Sequence, residues 1–322
     1  MITRLASIFV LTLTLAKADW EPLAPLPAGN GGFACGFIDG KLIVAGGTNW
    51  SDDTKHWLDV IWSYDPQSNA WTTIGKLPQP CGYAASGVIR GKLVIAGGSD
   101  GKAAHRDILT INAKGETQIV GLLAEGRIYS CSTAFQDQLY IAGGGTDPAD
   151  LKTFTAAQHR VSFSPDGKAT VSDGPRLGEV GFGIGTAAGA WGRVFVFGGA
   201  RFDTATQVVN LDAVHLLNAS EPQTKLHHAI RGLAAVSIRD GFIYLAGGYP
   251  NDEPSFSDQG WMLNPSDGHI LPVRSLPIKA MVHLATDGEW VYCLGGEDRK
   301  KHRSDKVWRI RAQELLAPVI VK

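Results

Sequence analysis

The hydrophobic positions of this chain fall in short runs that recur at a regular interval. Six apolar runs end in Gly-Gly, and the first glycines of these pairs lie at 46, 97, 143, 198, 247 and 295. The interval therefore ranges from 46 to 55 residues. Most runs follow a small-residue segment and a turn such as Asp39-Gly40 or Arg90-Gly91, a pattern that predicts six antiparallel β-hairpins.

A strand that ends in Gly-Gly and repeats about every 50 residues is typical of kelch units, each of which forms one blade of a β-propeller. A third strand is predicted at 60–65 and a fourth at 71–78 in the first repeat. The segment 20–27 resembles this fourth strand, whereas the last repeat has no comparable strand of its own. The sequence thus predicts an all-β, six-bladed kelch β-propeller whose ring is closed by an N-terminal strand at 20–24.

The N-terminus has the pattern of a signal peptide. Arg4 is followed by the largely apolar segment 5–16, and Ala16-Lys17-Ala18 offers small residues at the cleavage positions. We expect residues 1–18 to be removed and residues 19–322 to form a single propeller. The protein is then predicted to be exported, to a periplasm or to the outside of the cell, with no membrane association after cleavage.

Charge and cysteine content narrow the functional classes. The net charge of −1 provides no basic field for nucleic acid. The four cysteines, at 35, 81, 131 and 293, lack the spacing of a zinc site, so we expect neither a metal nor a cofactor. They could form disulfides in three pairings, which the sequence leaves open, although Cys293 lies in an apolar strand and has the character of a buried hydrophobe.

Candidate chemistry lies at one mouth of the central channel. Since neighbouring strands of a blade are antiparallel, residues before each inner strand and residues after each Gly-Gly meet there. Glu297 is the only carboxylate directly after a Gly-Gly pair. The starts of the inner strands add Arg127, Arg231, Lys279 and His283, together with Glu179. This mixture predicts a small anionic ligand. Two alternatives stay open: that the charged residues are merely solvated loop residues, and that His283 has a structural role.

The segment 296–307 resembles a known family. Its pattern, Gly-Glu followed by Arg303-Ser304-Asp305-x-Val307, is similar to a segment of the kelch-type N-acetylneuraminate epimerases, the sialic acid mutarotases. Gly126-Arg127-x-Tyr129 resembles a second segment of that family. The resemblance implies interconversion of sugar anomers by acid/base ring opening and closing, without a cofactor. It also implies that Glu297 is the general acid/base and that Arg303 binds the substrate carboxylate.

The chain departs from that family in two respects. Lys300-Lys301 occupies a position where the family has Pro-Gly, and the motif lies in the last repeat instead of mid-chain, as in a cyclically permuted variant. A non-catalytic propeller that binds glycans or proteins remains an alternative. A galactose-oxidase-type copper enzyme is disfavoured because seven tyrosines form no evident Tyr/His cluster. The predicted signal peptide argues against an intracellular ubiquitin-ligase adaptor.

Overall fold

Six four-stranded antiparallel sheets form the blades of a β-propeller. The computed structural model describes residues 19–202, 207–219, 221–250 and 256–316. The predicted signal peptide, residues 1–18, lies outside the described residues. The hydrophobic pattern thus predicted the fold class correctly, because each Gly-Gly run is the second strand of one blade.

The strands of each blade follow one another from the channel outwards. Blade one contains Ala34–Ile38, Lys41–Ala45, Val60–Asp65 and Ala70–Lys76. Blade two contains Ala85–Ile89, Lys92–Ala96, Asp107–Ile111 and Thr117–Leu122, and blade three contains Cys131–Phe135, Gln138–Ala142, Gln158–Phe163 and Ala169–Gly174. Blade four contains Thr186–Ala190, Arg193–Phe197, Ala213–Leu216 and Pro222–Lys225, and blade five contains Ala234–Ser237, Ile243–Ala246, Gly260–Leu263 and Ile270–Val273. Blade six contains Met281–Thr286, Trp290–Glu297, Val307–Arg311 and the N-terminal strand Glu21–Pro22.

Shorter elements decorate this frame. Three two-stranded ribbons pair Thr48–Ser51 with Thr54–Trp57, Ala200–Phe202 with Val208–Asn210, and Ile230–Arg231 with Tyr249–Pro250. Two 3-10 turns span Leu151–Thr153 and Arg239–Gly241, and a short α-helix spans Ala312–Leu316. The ribbons lie next to the Gly-Gly pairs of blades one, four and five, so they rise around one mouth of the channel.

The ring closes as the sequence predicted. Glu21 pairs with Arg309 and Pro22 pairs with Trp308, which makes the N-terminal strand the outermost strand of blade six. Arg309 Nε also donates to a carboxylate oxygen of Glu21 over 3.0 Å. The first and last strands of the described residues therefore share one sheet, and the N-terminal strand supplies its outermost position.

The hydrophobic core is divided into six clusters, and each cluster lies between two neighbouring blades. Leu42 and Val44 of blade one pack towards blade six, whereas Ile43 and Ala45 pack towards blade two. Alternate side chains of a strand point to opposite faces of its sheet. The uninterrupted apolar runs before each Gly-Gly are thus explained by burial of both faces.

The cysteines are free thiols in separate parts of the ring. Burial raises the pKa of Cys35, Cys81 and Cys131 to about 12, which keeps these thiols protonated at neutral pH. Within the described ranges, no helix is long and apolar enough to cross a membrane. The same ranges contain no group of three or more His, Cys, Asp and Glu side chains positioned to hold a metal ion.

Candidate functional site

The residues after the Gly-Gly pairs meet the residues before the inner strands, as the antiparallel order requires. Bridges join Gly31 with Thr48 in blade one, Arg231 with Tyr249 in blade five, and Met281 with Glu297 in blade six. This rim opens into a cavity of about 670 Å³ along the inner strands. Its polar and aromatic lining includes Tyr83, Tyr129, Arg231, His283, Glu297 and Arg303.

Glu297 and Arg303 form an ion pair at this mouth. Glu297 is the last residue of a blade-six strand, and Arg303 follows the turn that leaves it. Arg303 Nη1 lies 2.7 Å from Glu297 Oε2, and the arginine side chain is 5% exposed against 23% for the glutamate. Glu297 therefore remains accessible from the cavity, whereas Arg303 is held beneath it.

The other nitrogens of Arg303 contact blades one and two. Nη2 donates to the Tyr83 hydroxyl over 3.0 Å, and Nε donates to Thr48 Oγ1 over 3.4 Å. Nη1 additionally donates to the His302 carbonyl oxygen over 3.4 Å. Every nitrogen of this guanidinium thus has a protein partner, and the group connects a carboxylate to a phenol across three blades.

Arg231 faces the same cavity from blade five. Its Nη1 donates to Asn210 Oδ1 over 2.7 Å, and its guanidinium carbon lies 4.4 Å from the centroid of the Tyr249 ring. Burial lowers the pKa of Arg231, and nearby charges, Glu297 among them, oppose that shift. Because arginine stays charged in proteins, Arg231 supplies a second cation to the cavity, and Asn210 and Tyr249 hold its guanidinium in place.

His283 also lines the cavity, but its ring forms a hydrogen bond with the backbone. The Gly32 amide donates to His283 Nε2 over 3.0 Å, and the imidazole stacks on Phe33 with centroids 4.0 Å apart. Burial and, secondarily, Arg303 lower the pKa of His283 to about 4. The imidazole is therefore neutral at pH 7, with its proton on Nδ1.

The loop that carries Arg303 is tied to blade one. The His302 amide donates to the Arg299 carbonyl oxygen, and Lys301 has a left-handed backbone with φ +58°. Lys301 Nζ lies 3.1 Å from Asp53 Oδ1 on the ribbon of blade one. The Arg299–His302 hydrogen bond and the positive φ of Lys301 together define a turn that favours glycine at its third position. Lys300-Lys301 therefore forms the kind of turn that Pro-Gly would form.

Two of the cations singled out in the sequence lie outside the cavity lining. The Arg127 carbonyl oxygen accepts a hydrogen bond from the Gly98 amide, and in another blade the Ile230 carbonyl oxygen accepts the equivalent bond from Gly199. Arg127 is therefore the counterpart of Ile230 and not of Arg231, and its side chain points between blades. Its Nη2 contacts Glu125 Oε1 at 2.6 Å and His159 Nε2 at 3.2 Å. Lys279 and Glu179 are exposed residues outside the cavity lining.

Sequence reasoning missed the aromatic and hydroxyl side of the mouth. The Tyr83 and Tyr129 rings lie with centroids 4.9 Å apart, and the Lys55 ammonium lies 4.5 Å from the Tyr83 ring centroid. Tyr83 stands in a segment read only as a small-residue strand. Aligning the repeats would have offered a signal, because Tyr83 and Tyr129 occupy the position that holds Gly32 and Gly232 in other blades.

Comparisons with known proteins agree with this architecture. Residues 30–78, which include all four strands of blade one, match the Kelch motif. The fold is a six-bladed kelch propeller. The structure titled "Structure of YjhT" superposes on this kelch propeller with a TM-score of 0.68, covering 78% of this chain and 86% of that chain at 15% identity. That likeness concerns the fold.

Curated relatives match over short segments. Human Kelch-like protein 33 is 35% identical over 86 residues, which is 27% of this chain and 15% of that protein. Kelch-like protein 21 of Danio rerio is 36% identical over 64 residues, or 20% of this chain and 10% of that protein. An F-box/kelch-repeat protein of Arabidopsis thaliana is 33% identical over 69 residues, or 21% and 14%. The matched segments thus span between one tenth and one sixth of these relatives.

Proposed function

We propose that this kelch propeller is an exported mutarotase that interconverts the anomers of a small sugar acid, N-acetylneuraminate or a related compound. The observation that carries the proposal is Glu297, an accessible carboxylate paired with Arg303 at the mouth of a cavity that Arg231 also lines. The resemblance of residues 296–307 to the sialic acid mutarotases supports the substrate class. Their place in the last repeat fits a cyclically permuted member of that group.

The chemistry requires two proton transfers and the cleavage of one C–O bond. A base removes the proton of the anomeric hydroxyl, the bond from the anomeric carbon to the ring oxygen breaks, and an acid protonates that oxygen. Ring closure on the other face of the carbonyl reverses these steps. Glu297 acts as the base during opening, and positioned proton transfer contributes about 10²- to 10⁴-fold to such reactions.

The substrate carboxylate is assigned to the arginines of the mouth. Arg231 uses Nη1 for Asn210, and the Tyr249 ring fixes its plane, so its remaining N–H groups are the principal donors. Arg303 contributes charge and one further N–H, because its nitrogens already contact Glu297, Tyr83, Thr48 and the His302 carbonyl. Two guanidinium groups match the preference of carboxylates for charge-assisted hydrogen bonds.

Anomer exchange followed by proton NMR tests this function. We expect wild-type protein to accelerate equilibration of the dissolved β-anomer of N-acetylneuraminate and Glu297→Gln to lose about 10²-fold or more of that acceleration while still binding the sugar. Glu179→Gln is the matched control, since Glu179 is an exposed glutamate outside the cavity lining. Full activity of Glu297→Gln would refute the assignment of the base.

Binding of the substrate carboxylate is tested separately by calorimetry. We expect Arg231→Gln to weaken the affinity about 10- to 100-fold, the effect of losing a hydrogen bond to a charged group. The loss should vanish for a substrate analogue in which an amide replaces the carboxylate. Lys279→Gln, at an exposed cation outside the cavity lining, should bind like wild type.

A non-catalytic binding role is the second candidate, and the aromatic side of the mouth favours it. Tyr83 and Tyr129 present neighbouring rings to the cavity, and aromatic faces are common in recognition surfaces. One curated relative, the mouse Influenza virus NS1A-binding protein homolog, is named for binding; it is 30% identical over 90 residues. Saturable sugar or protein binding without anomer exchange would select this role.

A further inference from the structure

Tyr83 has a backbone conformation that a tyrosine rarely adopts. At the position two residues before the inner strand, blades one and five have Gly32 and Gly232 with φ +71° and +64°. Tyr83 takes the same left-handed conformation with φ +56°, as Tyr129 does with φ +61°. Ile184 of blade four shares this conformation with φ +56°, so it belongs to the architecture of the blades. The fold therefore directs the Tyr83 ring into the mouth.

The Tyr83 phenol oxygen lies beside an arginine and a hydroxyl, and a lysine lies over its ring. Its oxygen accepts from Arg303 Nη2 over 3.0 Å and lies 3.2 Å from Thr48 Oγ1. The Thr48 hydroxyl donates to the Gly31 carbonyl oxygen, so it can accept a hydrogen bond from the Tyr83 hydroxyl. The Lys55 ammonium lies 4.5 Å from the ring centroid.

Tyr83 and Glu297 are coupled through one group. The Arg303 guanidinium contacts Glu297 through Nη1 and Tyr83 through Nη2, and all three side chains line the same cavity. A carboxylate oxygen and a phenol oxygen are thus set at fixed positions on either side of a cation. A reaction that needs a base and an acid at two atoms of one sugar ring requires such a pair.

We propose that Tyr83 is the second proton-transfer group of this site and acts as the acid opposite Glu297. The inference rests on the proposed function. During opening, the Glu297 carboxylate takes the proton of the anomeric hydroxyl, whose O–H electrons form the carbonyl. The electron pair of the breaking ring bond goes to the ring oxygen, which takes the Tyr83 proton. During closure the new hydroxyl returns its proton to the Tyr83 phenolate, and the carbonyl oxygen takes the proton from Glu297.

The electrostatics of the phenol agree with this role. Burial alone would raise the pKa of Tyr83, but Arg303 and Lys55 outweigh burial and hold that pKa below its ordinary value. A phenol with a lowered pKa is a stronger acid, and the same two cations stabilise the phenolate that forms. Tyr129, the neighbouring phenol, behaves differently: burial raises its pKa, and its hydroxyl donates to the Pro148 carbonyl oxygen.

The test compares Tyr83→Phe with wild type in the anomer-exchange assay across pH. Wild-type activity should decline on the alkaline side, below the ordinary tyrosine pKa of about 10, because the acid is lost as Tyr83 ionises. Tyr83→Phe should lower kcat about 10²-fold with little change in KM, and its residual activity should lack that decline. Tyr140→Phe, which removes a hydroxyl bonded to Gln138 outside the cavity lining, should match wild type.

Ultraviolet difference spectra give a readout that does not depend on turnover. The wild-type spectrum minus that of Tyr83→Phe should show one tyrosinate forming below the ordinary tyrosine pKa. Wild-type kcat and an unchanged alkaline decline in Tyr83→Phe, or the absence of that tyrosinate step, would overturn the assignment. A wild-type protein that fails to accelerate exchange would refute the mutarotase itself, which is a different result from a fully active Tyr83→Phe.

Discussion

His283 extends a chain of hydrogen bonds that runs around the mouth of the channel. In blades two to five, the left-handed residue before each inner strand donates its amide to the carbonyl of its counterpart in the preceding blade: Tyr83 to Gly32, Tyr129 to Tyr83, Ile184 to Tyr129 and Gly232 to Ile184. In blade six the His283 side chain takes over, since its Nε2 accepts from the Gly32 amide. One imidazole thus joins the last blade to the first.

This role predicts a specific dependence of stability on pH. The pKa of His283 is lowered from 6.5 to about 4, so below pH 6.5 the unfolded chain binds a proton that the folded state refuses. The stabilisation is fully present above pH 6.5 and is lost as pH falls towards 4, which removes about 3 kcal/mol at 1.36 kcal/mol per pKa unit. Urea unfolding of wild type from pH 7 to pH 4 should therefore show this loss.

His283→Gln isolates the contribution, because a glutamine oxygen can accept from Gly32 without titrating. The variant should lose less unfolding free energy than wild type over the same range. His228→Gln, at an exposed histidine, should follow wild type. Parallel curves for wild type and His283→Gln would contradict the neutral-imidazole account.

At the scale of elements, the Gly-Gly pairs fasten each blade to the next. Both glycines of every pair have positive φ, and the second donates its amide to a carbonyl of the following blade, as Gly98 does to Arg127 and Gly296 does to Asn30. A Cβ on the first glycine would collide with that same carbonyl oxygen. Glycine is needed for its conformation and for the close approach of two backbones.

A pair of substitutions in blade two separates these two requirements. Gly91 and Gly97 have nearly the same φ, +71° and +73°, but a Cβ on Gly91 meets open space whereas one on Gly97 meets the Arg127 carbonyl. Gly91→Ala should cost about 1 kcal/mol of unfolding free energy, for the left-handed conformation alone. Gly97→Ala should cost at least about 3 kcal/mol, because the blade contact must also separate. Equal losses in thermal or urea unfolding would show that the approach between blades is unimportant.

Local sequence patterns were predictive, whereas contacts between blades were not. The sequence predicted the strand positions and the number of blades, because strands buried on both faces and pairs of left-handed glycines produce local patterns that repeat. Glu297 was singled out by its position after a Gly-Gly pair, and Arg303 by a family resemblance within one segment. Tyr83, Thr48 and Lys55 were missed because their relation to Arg303 arises between blades one, two and six. Arg127 and Arg231 looked equivalent in sequence, but Arg127 lies one position earlier in its blade than Arg231 does. The Arg127 side chain therefore points between blades, whereas that of Arg231 points into the cavity.

At the scale of the whole molecule, a few residues near the N-terminus close the ring by joining blade six. Glu21–Pro22 contributes a two-residue strand, which forms only a short ladder with Val307–Arg311. Trp20 adds the apolar contact: it is buried in the cluster between blades five and six, and its Nε1 donates to the Ser275 carbonyl oxygen over 2.8 Å. Trp20 therefore anchors the N-terminal strand in the interface between blades five and six.

Trp20→Ala should lower the unfolding free energy by about 3–5 kcal/mol, the usual cost of removing a buried tryptophan. Trp191→Ala, at a 59% exposed tryptophan in a hairpin turn, should cost about 1 kcal/mol or less. Hydrogen exchange should locate the difference, with faster exchange in blades five and six than in blades two and three of Trp20→Ala. If exchange instead rises equally in all blades, the ring opens as one cooperative unit, and closure energy cannot be assigned to the interface that Trp20 fills.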